Sequence, residues 1–203
     1  MIYPRFLLRL YSWNQNRREK RHEVSFRPNI SGEVNKVDYF DVVSHRYSCR
    51  SYKRDEVEKE KLDRILACAQ LAPTAANRQA IRIIVFPTAG REQDVARIYG
   101  RAWFQEAPCL ICVCSIPSKC WVRGDRKNYS DVDAAIVMDH IVLAATALDL
   151  GTCWVAAFDQ NAAREILGLD PAWEPVAFTP LGYRNDVPGK KMRKSLDEIV
   201  VCR

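Results

Sequence analysis

"DAAIVMDHIVLAATALDLG", residues 133–151, is charged only at Asp133, Asp139 and Asp149, and apolar side chains cover nearly every side of it at helical pitch. That pattern predicts a helix buried at the centre of the molecule, not an amphipathic helix on its surface, and Gly151 marks its expected end. A helix with no polar face needs neighbours on several sides, so it suits a domain core or a subunit interface.

The neighbours read outward from there. "TCWVAAF" (152–158) is a strand or loop running under the helix, Asp159 caps a helix in "NAAREILGL", and "PVAFTPLGY" and "DEIVVC" are strands. Upstream, "CLICVCSI" reads as a buried strand from about 109 to 115, with Cys112 and Cys114 on one side and Cys109 on the other. Before it come a short helix around 91–99 and a strand in "AIRIIVFP" (80–87). "RDEVEKEKLDRILACAQLAP" pairs Asp55 with Glu58 as a capping box and sets Leu62, Ile65, Leu66 and Ala69 in a helical stripe that stops before Pro73. "DYFDVVSHR" (38–46) is a further helix with an acidic first turn. The fold class is α+β, a sheet packed with helices.

With 203 residues, 48% of them hydrophobic, the chain can bury a sizeable core, and its length fits one domain plus an appendage. No apolar run approaches the roughly 18 uncharged residues of a membrane span, and "FLLRLYSW" is short and broken by Arg9. Neither a transmembrane helix nor a secretory signal is expected. The net charge of +6 is uneven: residues 1–36 hold eight Lys or Arg against three Glu, which leaves +1 for the other 167 residues. The basicity belongs to an N-terminal arm, expected to be poorly ordered, and 37–203 form the domain. A nucleic-acid or membrane partner is therefore not expected from the domain's charge. Eight cysteines without a secretory signal point to free thiols in the cytoplasm. A strand that splits Cys109 from Cys112 and Cys114 does not converge thiolates on a metal, so no metal site is expected.

Four separated stretches carry candidate chemistry. "HRYSCR" (45–50) sets Arg46 and Arg50 around Ser48, a planar cationic fork beside a hydroxyl, and Lys191 and Arg193 in "GKKMRK" form a second cationic pair far away in sequence. "LAPTAANRQA" (71–80) puts Pro73, Thr74, Asn77 and Gln79 on a loop between a helix and a strand, where short polar side chains and free backbone groups can meet the edge of a planar heteroaromatic ring. "DLGTCWVAAF" (149–158) supplies small residues whose backbone can approach such a ring closely.

The order and wording of these stretches resemble the nitroreductase family of flavoenzymes over about Val37 to Cys202. The residues that carry the resemblance are "HRYSCRSY" for an Arg-x-Ser-x-Arg phosphate motif, "APTAANRQ", "LAATALDLGTCWVAAFD" and "TPLGY…R". The resemblance implies a mixed sheet flanked by helices in an intertwined homodimer, with FMN bound at the interface and NADH or NADPH as electron donor. It implies that Arg46, Ser48, Lys191 and Arg193 bind the FMN phosphate and that Arg50 contacts the polar side chain or ring edge of the flavin. Tyr47 stands where an arginine or histidine is common, which leaves it a backbone role. Pro73, Thr74, Ala75, Asn77 and Gln79 belong to a loop that reaches the flavin from the partner subunit, although Ala80-Ile81 replaces the usual Pro-Trp after the glutamine. The backbone amides of Ala156 and Ala157 are implied to face flavin N5. The implied activity is electron transfer to a nitroaromatic or quinone in two half-reactions. A specialised reaction, such as reductive dehalogenation or flavin fragmentation, would need lid residues, expected within 121–133; a flavin-binding module without turnover is the alternative from another class.

Overall fold

The computed structural model describes residues 37–203, and the expectation for the arm at 1–36 lies outside them. Four strands, β1 (Ile81–Pro87), β2 (Cys109–Ser115), β3 (Leu150–Thr152) and β4 (Glu174–Tyr183), form one sheet in the order β1-β2-β4-β3 with every neighbour antiparallel. The α+β class holds. Among the described residues the one parallel pairing is an isolated bridge between Ser48 and Thr152 at the β3 edge, outside the antiparallel ladders of the sheet.

β2 is apolar on both faces because both faces are covered. Ile111 and Val113 meet Ala177 and Leu181 of β4, Ile65 and Ala69 of α2 (Lys59–Gln70), and Val137, Met138, Ile141 and Ala145 of α5 (Ser130–Ala147). Leu110, Cys112 and Cys114 meet Phe178 of β4 and, from the other side, Val95 and Ile98 of α3 (Glu92–Ile98), Phe104 of α4 (Ala102–Glu106) and Ala163 of α6 (Gln160–Leu167). The split expected of the cysteines is present: Cys109 joins the first core, and Cys112 and Cys114, with sulfurs 3.7 Å apart, join the second. Burial pushes the Cys109 thiol up to about 12, so it packs as a small hydrophobe. Each fully buried Phe, Leu or Ile here stabilises the fold by roughly 1.5–3 kcal/mol relative to exposure.

The cap at Asp159 forms as the sequence implies, its side chain accepting from the Ala162 amide at 2.8 Å, while α1 (Tyr39–His45), read only as having an acidic first turn, is started by Asp38, which accepts from the Phe40 amide at 2.8 Å. Three boundaries differ. No Asp55–Glu58 capping box forms; α2 begins at Lys59, and the Glu58 carboxylate instead receives the Tyr183 hydroxyl at 2.7 Å. α5 ends at Ala147, not at Gly151, because Asp149 takes the left-handed turn at φ 60°. Gly151 is a strand residue whose missing Cβ is needed for packing, since one built there would lie 2.7 Å from Cys49 Sγ. In "DEIVVC", Ser195 and Glu198 close a capping box around one helical turn, α7 (Leu196–Ile199), in place of the expected strand, and Val200 and Val201 stay exposed.

Gly182 in β4 is a second close approach, with a Cβ falling 2.7 Å from Cδ of the rigid Pro108 ring. Gly182→Ala should therefore cost about 1–3 kcal/mol through overpacking, read as a lowered Tm. Gly189→Ala, where nothing lies within 4 Å, should leave the melting curve in place. No described helix is long and apolar enough to cross a membrane.

Candidate functional site

The site is assembled where α1 runs out. Arg46 leaves helical geometry at ψ 127°, and the chain continues extended beside β3, with the Cys49 amide donating to the Thr152 carbonyl at 2.9 Å. This places Arg46 over α5 and Ser48 beside the Thr152–Trp154 turn. The far end of the motif is tied down by Asp186. Its Oδ1 accepts the Tyr47 hydroxyl at 2.7 Å and the Cys49 thiol at 3.1 Å, and its Oδ2 accepts the Arg50 amide at 2.7 Å.

Burial alone would raise the Asp186 carboxyl, but the Arg50 amide, the Tyr47 hydroxyl and the Cys49 thiol outweigh it and hold the group below the ordinary aspartate value of 3.8. A depressed carboxyl adds stability that is present above its unfolded value and lost as the pH falls through the folded one. Asp186→Asn should therefore melt below the parent at neutral pH, and the gap should close as the pH is taken to 3.8 and lower. The partners respond in kind: burial and the Asp186 contact push the Tyr47 phenol up, and burial lifts the Cys49 thiol to about 11.

Two adjoining clefts share Arg46 and Asp139. One, of about 430 Å³, is lined by Tyr39, Val43, Ser44 and Leu143 together with Arg46, Lys191 and Arg193. The fold thus brings the two cationic pairs of the sequence into one wall, across an interval of 145 residues between Arg46 and Lys191. Lys191 Nζ donates to the Ser44 carbonyl. Partial burial, followed by the like charges of Arg46 and Arg193, holds its ammonium below the ordinary lysine value. The Arg46 guanidinium has no partner among the described residues, and Arg193 donates only to the neighbouring Met192 carbonyl at 2.7 Å. Three cations in one wall, two of them with open donors, outnumber the single carboxylate, Asp139, that shares the cleft, an arrangement able to accept an anion. The second cleft, of about 260 Å³, adds Ser48, Val142, Thr152, Cys153 and Trp154.

Ala156 and Ala157 follow this turn in an exposed stretch. Val155 fixes their start by exchanging both backbone hydrogen bonds with Phe178, at 2.8 and 2.9 Å, and neither the Ala156 nor the Ala157 N–H has an acceptor among the described residues. Cys153 lies in the cleft wall as a thiol: burial raises it, against the opposing pull of Arg50, Ser48 and Arg46.

Other expected residues lie elsewhere. Tyr47 turns to Asp186, and Arg50 stacks 5.9 Å from the Trp103 ring centroid, so neither side chain lines a cleft. Pro73, Thr74, Ala75, Asn77 and Gln79 sit beside the first turn of α5, where the Ala75 amide donates to Asp133 at 2.8 Å. Asp133 precedes Asp139 of the cleft wall by six residues, which is about 9 Å along the helix. The segment 121–129 is closed by a Val122–Asn128 bridge and an Arg123–Asp125 ion pair of 2.6 Å, and none of it lines either cleft. The sequence reading missed Asp186, whose only signal was its place after the "TPLGY…R" stretch, and Asp139 and Trp154, which lie inside stretches read as helix and backbone loop.

The family model "Nitroreductase family" matches residues 43–106 and 95–183. A nitroreductase family protein of Clostridium difficile 630 superposes with a TM-score of 0.75 at 36% identity, over 81% of this chain and 98% of that one. A Methanothermobacter thermautotrophicus protein whose name joins NADH dehydrogenase and NAD(P)H nitroreductase is 29% identical over 80% of this chain and 85% of its own. The FMN reductase [NAD(P)H] of Bacillus subtilis is 27% identical over 75% of this chain and 68% of its own. The matches span Arg46, the Cys153–Ala157 turn and all four strands of the sheet, and the chain belongs to the nitroreductase family.

Proposed function

We propose that the chain is an FMN-dependent oxidoreductase that passes electrons from NADH or NADPH to a small electron-poor acceptor, such as a nitroaromatic or a quinone. The observation that carries this reading is the wall of Arg46, Lys191 and Arg193 opening onto the cleft of Ser48, Thr152, Cys153 and Trp154. The donor set fits FMN. A phosphate dianion relieves the repulsion among the three cations, the Arg46 fork offers it paired N–H donors, and the Ser48 hydroxyl offers another. The free amides of Ala156 and Ala157 suit a ring nitrogen that gains electron density, since a fixed backbone dipole needs no reorganisation as charge develops. When bound, FMN supplies the redox chemistry by taking a hydride at N5 and passing the electrons on. The residues of this chain position that group and stabilise its reduced charge; no side chain need exchange a proton with the acceptor.

The same reading assigns the Thr74, Ala75 and Asn77 loop to the flavin of a second protomer. Support comes from the absence of these residues from the lining of either cleft of their own chain and from the apolar surface around α1, where Tyr39 is 64% and Phe40 78% exposed. A homodimer that covers this surface also uses the half-buried Ile136, Leu143 and Ala144 of α5.

The purified protein should be yellow, should release roughly one FMN per chain on denaturation, and should oxidise NADH or NADPH when a nitroaromatic or quinone is supplied. A colourless protein that takes up no added FMN would remove the basis of this function.

A further inference from the structure

The Thr74–Gln79 loop is held in an unusual backbone form. Ala76, Asn77 and Gln79 all have φ near 51°, in the left-handed region, and Ala76 has no side-chain group that could hydrogen-bond locally to stabilise it. Such a conformation persists only where surrounding contacts over-determine it. Most contacts here are internal: the Asn77 amide donates to the Thr74 carbonyl at 2.9 Å, the Arg78 amide to the Ala75 carbonyl at 3.2 Å, and the Gln79 amide to Thr74 Oγ1 at 3.0 Å. Because Thr74 Oγ1 is occupied by Gln79, Thr74 does not cap the one-turn helix Ala75–Asn77 that follows it.

Asp133 supplies that cap from outside. Its Oδ1 accepts the Ala75 N–H at 2.8 Å, and among the described residues this is the one hydrogen bond from Thr74–Gln79 to any other part of the chain. Asp133 is 1% exposed and stands in the first turn of α5, which is fixed by the buried Val137, Met138 and Ile141. A carboxylate buried this deeply needs compensation. Part of it comes from the positive end of α5, which favours an anion over a neutral amide at this place. Oδ2 has no partner among the described residues, so the Ala75 N–H is the one hydrogen bond the Asp133 side chain makes there.

We propose that Asp133 is the positioning residue of this loop: by capping Ala75 from α5 it presets the left-handed form that presents Thr74 and Asn77 to the flavin ring edge. The inference rests on the FMN reading above, so its test includes a measurement that needs no flavin.

In the flavin-free parent, the Ala75 amide should exchange with solvent roughly tenfold more slowly than the Ala76 amide, which has no acceptor among the described residues. Arg78 is exposed within the loop and gives trypsin a site. Cleavage after Arg78, measured against cleavage after the exposed Lys190, should accelerate roughly tenfold in Asp133→Ala and return to within about threefold of the parent in Asp133→Asn, which keeps the acceptor oxygen. Asp133→Ala should also lower FMN and riboflavin affinity by the same factor, since the loop touches the ring and not the phosphate. An unprotected Ala75 amide in the parent, or unchanged cleavage at Arg78, overturns the anchor, and the exchange measurement decides the matter should Asp133→Ala fail to fold. Faster cleavage with unchanged flavin affinity overturns the link to the ring. A parent that binds no flavin at all defeats the FMN reading, while exchange and proteolysis still report on the anchor.

Discussion

In one of the two variants Ala156→Pro and Ala157→Pro, reduction of bound flavin by NADH or NADPH slows roughly 10²- to 10³-fold, the loss that follows removal of one donor from an oxyanion hole. Proline deletes a single N–H and leaves every side chain around the site in place. At 156 the preceding residue is compatible with it. Proline at 156 confines Val155 to the extended region, and Val155 is already extended in its bridge with Phe178. Both amides lack acceptors among the described residues, so their removal breaks no bond of the protein itself. FMN affinity and Tm measured on the same samples separate a lost donor from a distorted turn. The informative variant binds FMN with parental affinity and reduces it slowly.

Cys153 is the internal contrast. It lines the same cleft, 4% exposed, and burial keeps it protonated despite Arg50 and Arg46 nearby. Cys153→Ser should therefore retain NAD(P)H oxidation within about tenfold, because it leaves all the backbone donors in place. If Cys153→Ser abolished turnover while both proline variants stayed active, a thiol mechanism would replace the amide one.

Much of the scaffold was legible because its signals are local. The alternation of β2 side chains between two cores, with every residue of the strand buried, follows from strand geometry alone, and so does the division of its cysteines. Asp159 caps its helix through an amide three residues away. The errors arose where a distant group competed. Glu58 looked like half of a capping box until Tyr183, 125 residues on, took its carboxylate. Gly151 looked like a helix stop, but its small size serves Cys49, which approaches from the other end of the domain. The site divides in the same way. Residue types and motif wording singled out Arg46, Ser48, Lys191 and Arg193, and the fold brings Arg46 together with the latter two. Asp186 was invisible, because a lone aspartate after a strand carries no sign that three donors from residues 47–50 converge on it.

Removing a guanidinium from the cationic wall should have the second large effect. Arg46→Ala and Arg193→Ala should each weaken FMN binding roughly 10- to 150-fold, the equivalent of a charge-assisted contact worth on the order of 1.5–3 kcal/mol. Riboflavin, which lacks the phosphate, should bind the parent and both variants about equally weakly. The arginines are better probes than Lys191. The Arg46 side chain has no partner among the described residues, so its removal strands no protein group. Lys191 holds the Ser44 carbonyl near the end of α1, and its loss would also loosen the chain that carries Arg46. Arg46→Lys adds a further distinction. It keeps the charge but loses the planar fork, so FMN affinity should fall between parent and Arg46→Ala if bidentate recognition matters, and should match the parent if charge alone suffices. Raising the salt concentration should narrow the gap between parent and Arg193→Ala, because this side of the cleft is open to solvent and its Coulombic share is screened. Equal losses of FMN and riboflavin would assign the arginines to the ring or to the fold, and the phosphate would need another receptor.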